Sequence, residues 1–172
     1  MEITIRKPRA DEWKDYKDLR LESLRDFPQG FSSSYDEAIL KPDEEWQYDL
    51  ISSQEEKDSV MLCAYDGNEM IGCVGSYWKN KSKTRHVANV GLMYVKKSHQ
   101  GKGVGNLLLN ELLKLLTGMN RFRKIKLEVI QGNLPAYNLY RKAGFVDTGI
   151  NHDELLINGS YVNTICMEKI PA

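Results

Sequence analysis

The sequence has few cysteines, no long apolar run and no net charge. Its three cysteines, Cys63, Cys73 and Cys166, are an odd number without a CxxC pair, which argues against a disulfide framework and against a bound metal such as zinc. The longest unbroken apolar run, residues 60–65, is far shorter than the roughly 20 residues that cross a bilayer. The N-terminus shows no basic and then apolar leader. We therefore expect a cytoplasmic protein with no membrane partner.

The neutral balance of 24 basic and 24 acidic residues hides an uneven distribution along the chain. Residues 1–58 hold 16 acidic and 9 basic side chains, whereas residues 59–172 hold 8 acidic and 15 basic ones. The second part favours a phosphorylated ligand and the first a cation, although solvated surface charge explains the acidic part equally well. A length of 172 residues predicts a single domain over 1–172.

Hydrophobic periodicity predicts a mixed α/β fold in which helices cover both faces of a sheet. A hairpin is expected at Asp66-Gly67, and leucines 107, 108, 112, 115 and 116 are expected to share one helix face. Four helices are predicted. The first runs from a cap at Asp11 to residue 27, and the second covers 43–51. The third follows the loop 96–105 and ends at 118, and the fourth follows the loop 131–133 and ends at 143. The predicted strands cover about 3–8, 60–65, 70–77, 86–95, 125–130, 146–150 and 161–170.

A glycine-rich loop follows the strand that ends near Val95 and opens the leucine-rich helix. At a helix N-terminus, backbone N–H groups bind anions, and glycine lets a phosphate approach them closely. The spacing fits neither a P-loop nor a dinucleotide fingerprint, because Asn106 stands where the latter needs glycine. It fits QxxGxG instead, formed by Gln100, Gly101, Lys102, Gly103, Val104 and Gly105.

A second motif lies in residues 133–145 and fits NxxAxxLYxKxGF at Asn133, Ala136, Leu139, Tyr140, Lys142, Gly144 and Phe145. With Met93-Tyr94-Val95 ahead of the loop, the chain resembles the GNAT superfamily of acyl-CoA-dependent N-acyltransferases over about 60–150. The resemblance implies a mixed, mostly antiparallel central sheet. It also implies an enzyme that transfers the acetyl group of acetyl-CoA to a primary amine by direct attack in a ternary complex.

The resemblance further implies how coenzyme A is held. The loop amides would bind the pyrophosphate, and Lys102 would neutralise further charge. The pantetheine arm would lie along Met93, Tyr94 and Val95 like an added strand, and a backbone N–H around Tyr94 would stabilise charge on the acetyl oxygen. Asn133 would hydrogen-bond the pantetheine, although capping the next helix also explains an asparagine there.

Two side chains are candidates for proton transfer. Tyr140 would protonate the departing CoA thiolate, as the tyrosine at this position does in the superfamily. Glu128, in Leu-Glu-Val, resembles the proton-accepting glutamate of ribosomal-protein alanine acetyltransferases, but ordered water is an alternative base. An ordinary ion pair of Glu128 with Lys124 or Lys126 explains its presence equally well.

In this superfamily the first helices cover the acceptor cleft, which corresponds to residues 10–58 here. Nine acidic residues against two lysines between 34 and 58 favour a cationic small-molecule amine. Phe31, Tyr35 and Trp46 offer aromatic faces for an alkylammonium group, unless they are core anchors. A protein N-terminus or lysine and a non-catalytic acyl-CoA-binding module are the alternatives. The basic loop 79–85 lacks the interleaved aromatics of a nucleic-acid site, and the resemblance leaves a homodimer open.

Overall fold

The structure is a computed structural model that describes residues 2–171. Its strands are β1 (Ile3–Arg6), β2 (Ser59–Asp66), β3 (Glu69–Trp78), β4 (Val87–Val95), β5 (Lys124–Ile130), β6 (Val146–Ile157) and β7 (Ser160–Lys169). Its helices are α1 (Trp13–Asp26), α2 (Tyr35–Ile39), α3 (Asp43–Glu55), α4 (Val104–Gly118) and α5 (Leu134–Lys142). Within residues 2–171, no helix is both long and apolar enough to cross a membrane.

The strands form one sheet in the order β1-β2-β3-β4-β5-β7-β6. Every neighbouring pair is antiparallel except β4 and β5, because α4 carries the chain across the sheet between these two strands. The parallel pairing runs only from Val87 opposite Lys124 to Asn89 opposite Lys126. Beyond these residues the two strands separate, which leaves a cleft between their carboxyl ends.

The buried strand β2 shows how the helices cover both faces of the sheet. Val60, Leu62 and Ala64 belong to the core cluster that contains the leucines of α4. Met61 and Tyr65, which alternate with them, pack with residues of α1 and α3. The predicted fold class is therefore confirmed.

The prediction for the buried face of α4 was partly wrong. Leu107 is 45% exposed and Leu115 is half-buried, whereas Leu109 and Leu113 are buried beside Leu108. Leucine occupies most of the circumference of this helix, so its spacing alone does not select a face. The contacts of α4 with β1 to β4 make the selection.

The predicted cap of α1 by Asp11 is also wrong, because a short 3-10 turn precedes the helix. Its last residue, Glu12, accepts hydrogen bonds from Arg6 (2.6 Å) and from the backbone N–H of Arg9 (2.7 Å). The Tyr65 hydroxyl also donates to Glu12, at 3.0 Å. The hydrogen bond from Arg6 is the main cause that lowers the pKa of Glu12 to about 2. This cluster ties β1, α1 and β2 together.

Two elements extend beyond their predicted ends. Helix α3 continues to Glu55 rather than ending near residue 51. Strand β6 continues to Ile157 rather than ending at 150, because a bulge between Asn151 and Leu155 absorbs residues that read as a break. Asp153, with φ of +54°, lies in that bulge.

Candidate active site

Strand β4 bends at a β-bulge close to where it leaves β5. Gly91 lies opposite Gly75 and Tyr94 lies opposite Cys73, so β4 has one residue more than β3 between these pairs. Leu92 in the bulge has a φ of +58°, which is rare for a leucine. A β-carbon on Gly75 would lie 3.0 Å from Leu92 Cδ1, so the glycine makes room for this side chain.

The last residues of β4 present backbone groups to the cleft. The Lys96 N–H donates to the Ile71 carbonyl of β3, at 2.8 Å. Because backbone groups alternate along a strand, the N–H groups of Met93 and Val95 point the other way, toward the edge that β5 leaves open. These N–H groups can bind an extended, amide-bearing chain as an added strand would.

Tyr94 has a structural role in the same segment. Its side chain is buried, and its hydroxyl lies 3.0 Å from a carboxylate oxygen of Glu22 and 3.0 Å from one of Asp26. Burial and these two carboxylates raise the pKa of Tyr94. The phenol therefore anchors β4 to α1. The same alternation turns the backbone groups of Tyr94 toward β3, so the N–H groups around Tyr94 that face the cleft are those of Met93 and Val95.

The glycine loop presents a row of free amides. No backbone N–H from Gly101 to Asn106 has a hydrogen-bond acceptor within residues 2–171. Gly101 and Gly103 have φ of +73° and +83°, where a side chain would be strained, and Gly103 is the N-cap of α4. Consecutive free N–H groups at a helix N-terminus form an anion site.

Two side chains of the loop differ in their contacts. Gln100 donates from Nε2 to the Val95 carbonyl at 2.8 Å, which ties the loop to the end of β4. Lys102 is exposed and forms no ion pair within the part of the chain that the structure describes. Lys96 and Lys97, by contrast, are paired with Glu69 at 2.8 Å and Asp26 at 3.1 Å. Lys102 is therefore the lysine of this region that is available for a phosphate.

Tyr140 lies on α5 with its ring in the core, 6% exposed. The ring meets Phe145 edge to face, with centroids 6.0 Å apart. Burial raises the pKa of Tyr140 to about 12. Its hydroxyl has no hydrogen-bond partner among residues 2–171 and is not sealed from the cavity. It is therefore a protonated donor facing open space.

Glu128 lies on β5, on the face opposite the buried residues Leu127 and Val129, as its spacing predicts. The Thr164 hydroxyl of β7 donates to Glu128 Oε2 at 3.0 Å. Neither Lys124 nor Lys126 forms an ion pair with it, and Lys124 is paired with Glu168 instead. Glu128 is therefore a carboxylate held by one hydroxyl at the wall of the cavity.

Asn133 is the N-cap of α5. Its Oδ1 accepts a hydrogen bond from the backbone N–H of Ala136 at 3.3 Å, which matches the capping alternative. The side chain also borders the cavity.

One continuous cavity of about 1780 Å³ connects these groups. It runs from the glycine loop along the open edge of β4 to a wall formed by α1 to α3. The predicted site residues that border it are Met93, Tyr94, Val95, Gln100, Gly101, Gly103, Val104, Gly105, Glu128, Asn133 and Tyr140.

The three aromatic side chains expected to face an alkylammonium group are already covered by cations of the chain itself. Lys41 Nζ lies 4.5 Å from the ring centroid of Trp46, which is 2% exposed. The guanidinium of Arg25 lies 5.6 Å from the Tyr35 ring. Arg20 lies 4.2 Å from the Phe31 ring. Trp46 is therefore a core anchor, which was the alternative, and the half-buried rings of Phe31 and Tyr35 each have a cation of the chain over one face.

The sequence also missed two cavity residues of the acceptor side. Glu154 borders the cavity from β6, in a segment that read as a loop. Arg20 borders it from α1, and the sequence analysis gave this arginine no role. Arg20 is buried beside the Phe31 ring, which lies beyond the end of α1, so spacing along the helix does not reveal this burial.

An amide-lined anion site, an open strand edge and a phenol lie along one cleft, which is the arrangement that the resemblance to N-acyltransferases implies. Residues 16–145 match the acetyltransferase (GNAT) family model. The chain belongs to this family.

A curated relative is the L-amino acid N-acetyltransferase AaaT of Escherichia coli (strain K12). It is 27% identical over 110 residues, which make up 64% of this chain and 67% of the relative. Alignments with curated relatives cover between 36% and 67% of the relatives' own lengths.

Solved structures show the same fold. A GNAT acetyltransferase from Streptococcus pneumoniae superimposes with a TM-score of 0.89 over 99% of this chain and 100% of its own, at 23% identity. Spermidine N-acetyltransferase from Vibrio cholerae, in complex with CoA and spermine, gives a TM-score of 0.79 over 98% of this chain and 95% of its own, at 21% identity.

Proposed function

We propose that this protein transfers the acetyl group of acetyl-CoA to a small molecule that presents a cationic primary amine, by direct attack in a ternary complex. The observation that carries the proposal is the run of free amides from Gly101 to Asn106. Gln100 joins that run to the open edge of β4, and Tyr140 faces the same cavity.

The residues present fit coenzyme A. The amides of the loop and the N-terminus of α4 would bind the diphosphate, with Lys102 beside them. The N–H groups of Met93 and Val95 would pair with the amides of the pantetheine arm. Asn133, whose Oδ1 already caps α5, has its amide nitrogen left to donate to the same arm.

Three groups would act on the reacting atoms. A backbone N–H at the end of β4 stabilises negative charge on the thioester oxygen, as oxyanion-hole donors do in acyl transfer. Glu128, oriented by Thr164, accepts the proton that the amine releases, directly or through water. Tyr140 donates a hydrogen bond to the sulfur as the carbon–sulfur bond breaks.

The acceptor side supports an amine substrate. Glu45, Glu128 and Glu154 border the cavity, and none of them forms an ion pair within residues 2–171. Carboxylates of this kind attract an ammonium group and lower the local concentration of anionic competitors. AaaT is named for L-amino acids and the Vibrio enzyme for spermidine, so relatives with small amine acceptors agree with this assignment.

The test combines calorimetry with an acetyl-transfer screen over diverse amines. We expect the protein to bind CoA and acetyl-CoA, and to release free CoA when an acceptor is added. Gly103→Ala should weaken CoA binding roughly tenfold or more, because the left-handed backbone that presents the amides is strained by a side chain.

Gly159→Ala is the matched control. Gly159 has a φ of +76° in the turn between β6 and β7, so the substitution brings similar strain to a place outside the loop. It should leave CoA affinity unchanged. If Gly103→Ala and Gly159→Ala bind CoA with equal affinity, the glycine loop does not bind CoA. If the wild-type protein does not bind CoA at all, the proposed function is refuted.

A further inference from the structure

The acceptor wall contains a buried cation without a counter-ion. Arg20 on α1 is only 8% exposed. No carboxylate lies within ion-pair distance of it in residues 2–171, and its one side-chain hydrogen bond runs from Nη1 to Ser23 Oγ at 3.3 Å. A buried guanidinium of this kind is costly unless another group neutralises it.

The groups around Arg20 do not supply that negative charge. Tyr16 and Cys73 are the ionisable groups that act on it. Burial raises the pKa of Tyr16 and raises that of Cys73 to about 12, so both are neutral at physiological pH. Burial also lowers the pKa of Arg20 itself. The Phe31 ring covers one face of the guanidinium and leaves its edges free.

The free edge has the geometry of a carboxylate receptor. Nε and Nη2 have no hydrogen-bond partner in the described part of the chain, and neither atom is sealed from the cavity. These two N–H groups lie side by side in the planar guanidinium. They match the two oxygens of a carboxylate in a bidentate pair.

Arg20 also lies on the correct side of the cleft to contact the acceptor. Cys73, whose charge state acts on Arg20, donates from Sγ to the Leu92 carbonyl of the bulge at 3.2 Å, and Arg20 and Leu92 border the same cavity. Glu128 and Tyr140 border the same cavity from β5 and α5. A small molecule between these walls can therefore present an anionic group to Arg20 and an amine to the bulge.

We propose that Arg20 binds a carboxylate of the acceptor, and that the acceptor is therefore an amino carboxylic acid rather than a purely cationic amine. This inference rests on the proposed function and narrows its substrate class. Arg20 orients the acceptor, while the reacting atoms remain with the residues already described.

The first test needs no variant. Initial rates are measured for a panel of amino acids, each compared with its amide and with its decarboxylated amine. The kcat/KM for the best acid should exceed that for both counterparts by roughly 100-fold or more, because a substrate without the carboxylate leaves the two buried N–H donors of Arg20 unsatisfied. Equal or higher kcat/KM for the amide or the amine would overturn the proposal while leaving acetyl transfer intact.

The second test uses Arg20→Met and Arg20→Lys. Arg20→Met should raise the KM for the acid roughly 100-fold. It should leave the KM for the amide and the KM for acetyl-CoA unchanged. Arg20→Lys should restore part of the affinity, because it keeps the charge but loses the planar fork. Arg25→Met, which changes an arginine of the same helix over the Tyr35 ring, should match the wild type. An equal rise in KM for the acid and for its amide in Arg20→Met would contradict carboxylate binding.

A binding measurement separates this inference from the proposed function. Thermal unfolding of the CoA-bound protein is followed with carboxylates that lack an amine, such as phenylacetate, and with the matching alcohols. The carboxylate should raise the Tm of the wild type but not of Arg20→Met. If no amine is acetylated, this shift still supports an anion site at Arg20. If the carboxylate and the matching alcohol shift the Tm of the wild type equally, there is no anion site at Arg20 and the proposal is overturned.

Discussion

Tyr140→Phe is the most direct perturbation of the proposed chemistry. It removes one oxygen from a ring that is otherwise held by the core and by Phe145. The hydroxyl has no partner within residues 2–171, so its loss leaves no buried group unsatisfied in the free protein. Stability should therefore change little, and an effect on rate reports on the reaction.

The pKa of Tyr140 decides what kind of help the phenol can give. Burial raises this pKa to about 12. A thiol titrates near pH 8.5, so complete proton transfer from the phenol to a thiolate is uphill by roughly 3.5 pKa units, or about 5 kcal/mol. A hydrogen bond to the developing thiolate contributes about 1.5–3 kcal/mol, which corresponds to roughly 10- to 150-fold in kcat. The environment thus favours a hydrogen-bond donor over a complete proton donor.

The measurement is a single-turnover acetyl-transfer rate between about pH 6 and 9, where product release does not mask the chemical step. Tyr140→Phe should lower the rate by the same factor at every pH, because a phenol whose pKa is about 12 stays protonated throughout this range. The dissociation constant for acetyl-CoA should be unchanged. Tyr137→Phe is the control, since Tyr137 lies on the same helix but its hydroxyl bonds Asp147 at 3.0 Å.

A rate for Tyr140→Phe within about twofold of the Tyr137→Phe control would refute this reasoning. A loss of acetyl-CoA affinity with an unchanged rate would also refute it, because the hydroxyl would then be a binding group. A rate ratio that grows with pH would show that the phenol titrates in this range, in conflict with its burial.

Two further predictions concern carboxylates. Glu128→Gln should flatten the acid limb of the pH profile of kcat/KM, and a profile that keeps this limb would assign proton removal to water. Glu12→Gln should lower the free energy of unfolding by roughly 2 kcal/mol at pH 7, since it removes the charge that pairs with Arg6 and one of the two oxygens that accept from Arg6 and Tyr65. The folded-state pKa of Glu12, about 2, lies below its ordinary value of 4.5, so this stabilisation is present above pH 4.5 and is lost as the pH falls toward 2. Urea unfolding of both proteins between about pH 2 and 7 should therefore show their stabilities converging in acid, and a constant difference would contradict the ion-pair assignment.

The geometry of the glycine loop was open to prediction because it depends on the backbone. Amides that must face a phosphate require glycine at particular positions, and the left-handed φ values of Gly101 and Gly103 agree with that requirement. The alternation around Glu128 was likewise readable, since a half-buried strand repeats every second residue. In these segments the spacing of residues along the sequence is enough to predict the local backbone geometry.

The bulge of β4 could not be predicted. Leu92 adopts a left-handed φ that its residue type disfavours, and the room for its side chain comes from Gly75 on the neighbouring strand. The bulge therefore depends on a pair of residues that are distant in sequence. The cation over the Phe31 ring likewise comes from another element, since Arg20 lies on α1.

Charge counted along the sequence also overstated how strongly the acceptor wall attracts cations. Asp49 is paired with Lys41 at 2.5 Å, Asp43 with Lys17 at 2.7 Å, and Glu56 with Lys7. These pairs neutralise much of the acidic segment before any substrate arrives, and they are screened further by salt. What remains near the bulge is a buried positive charge on Arg20, facing carboxylates across the cavity. A wall of both signs selects a molecule of both signs, because a polyamine would leave Arg20 unpaired and repelled in a region of low dielectric.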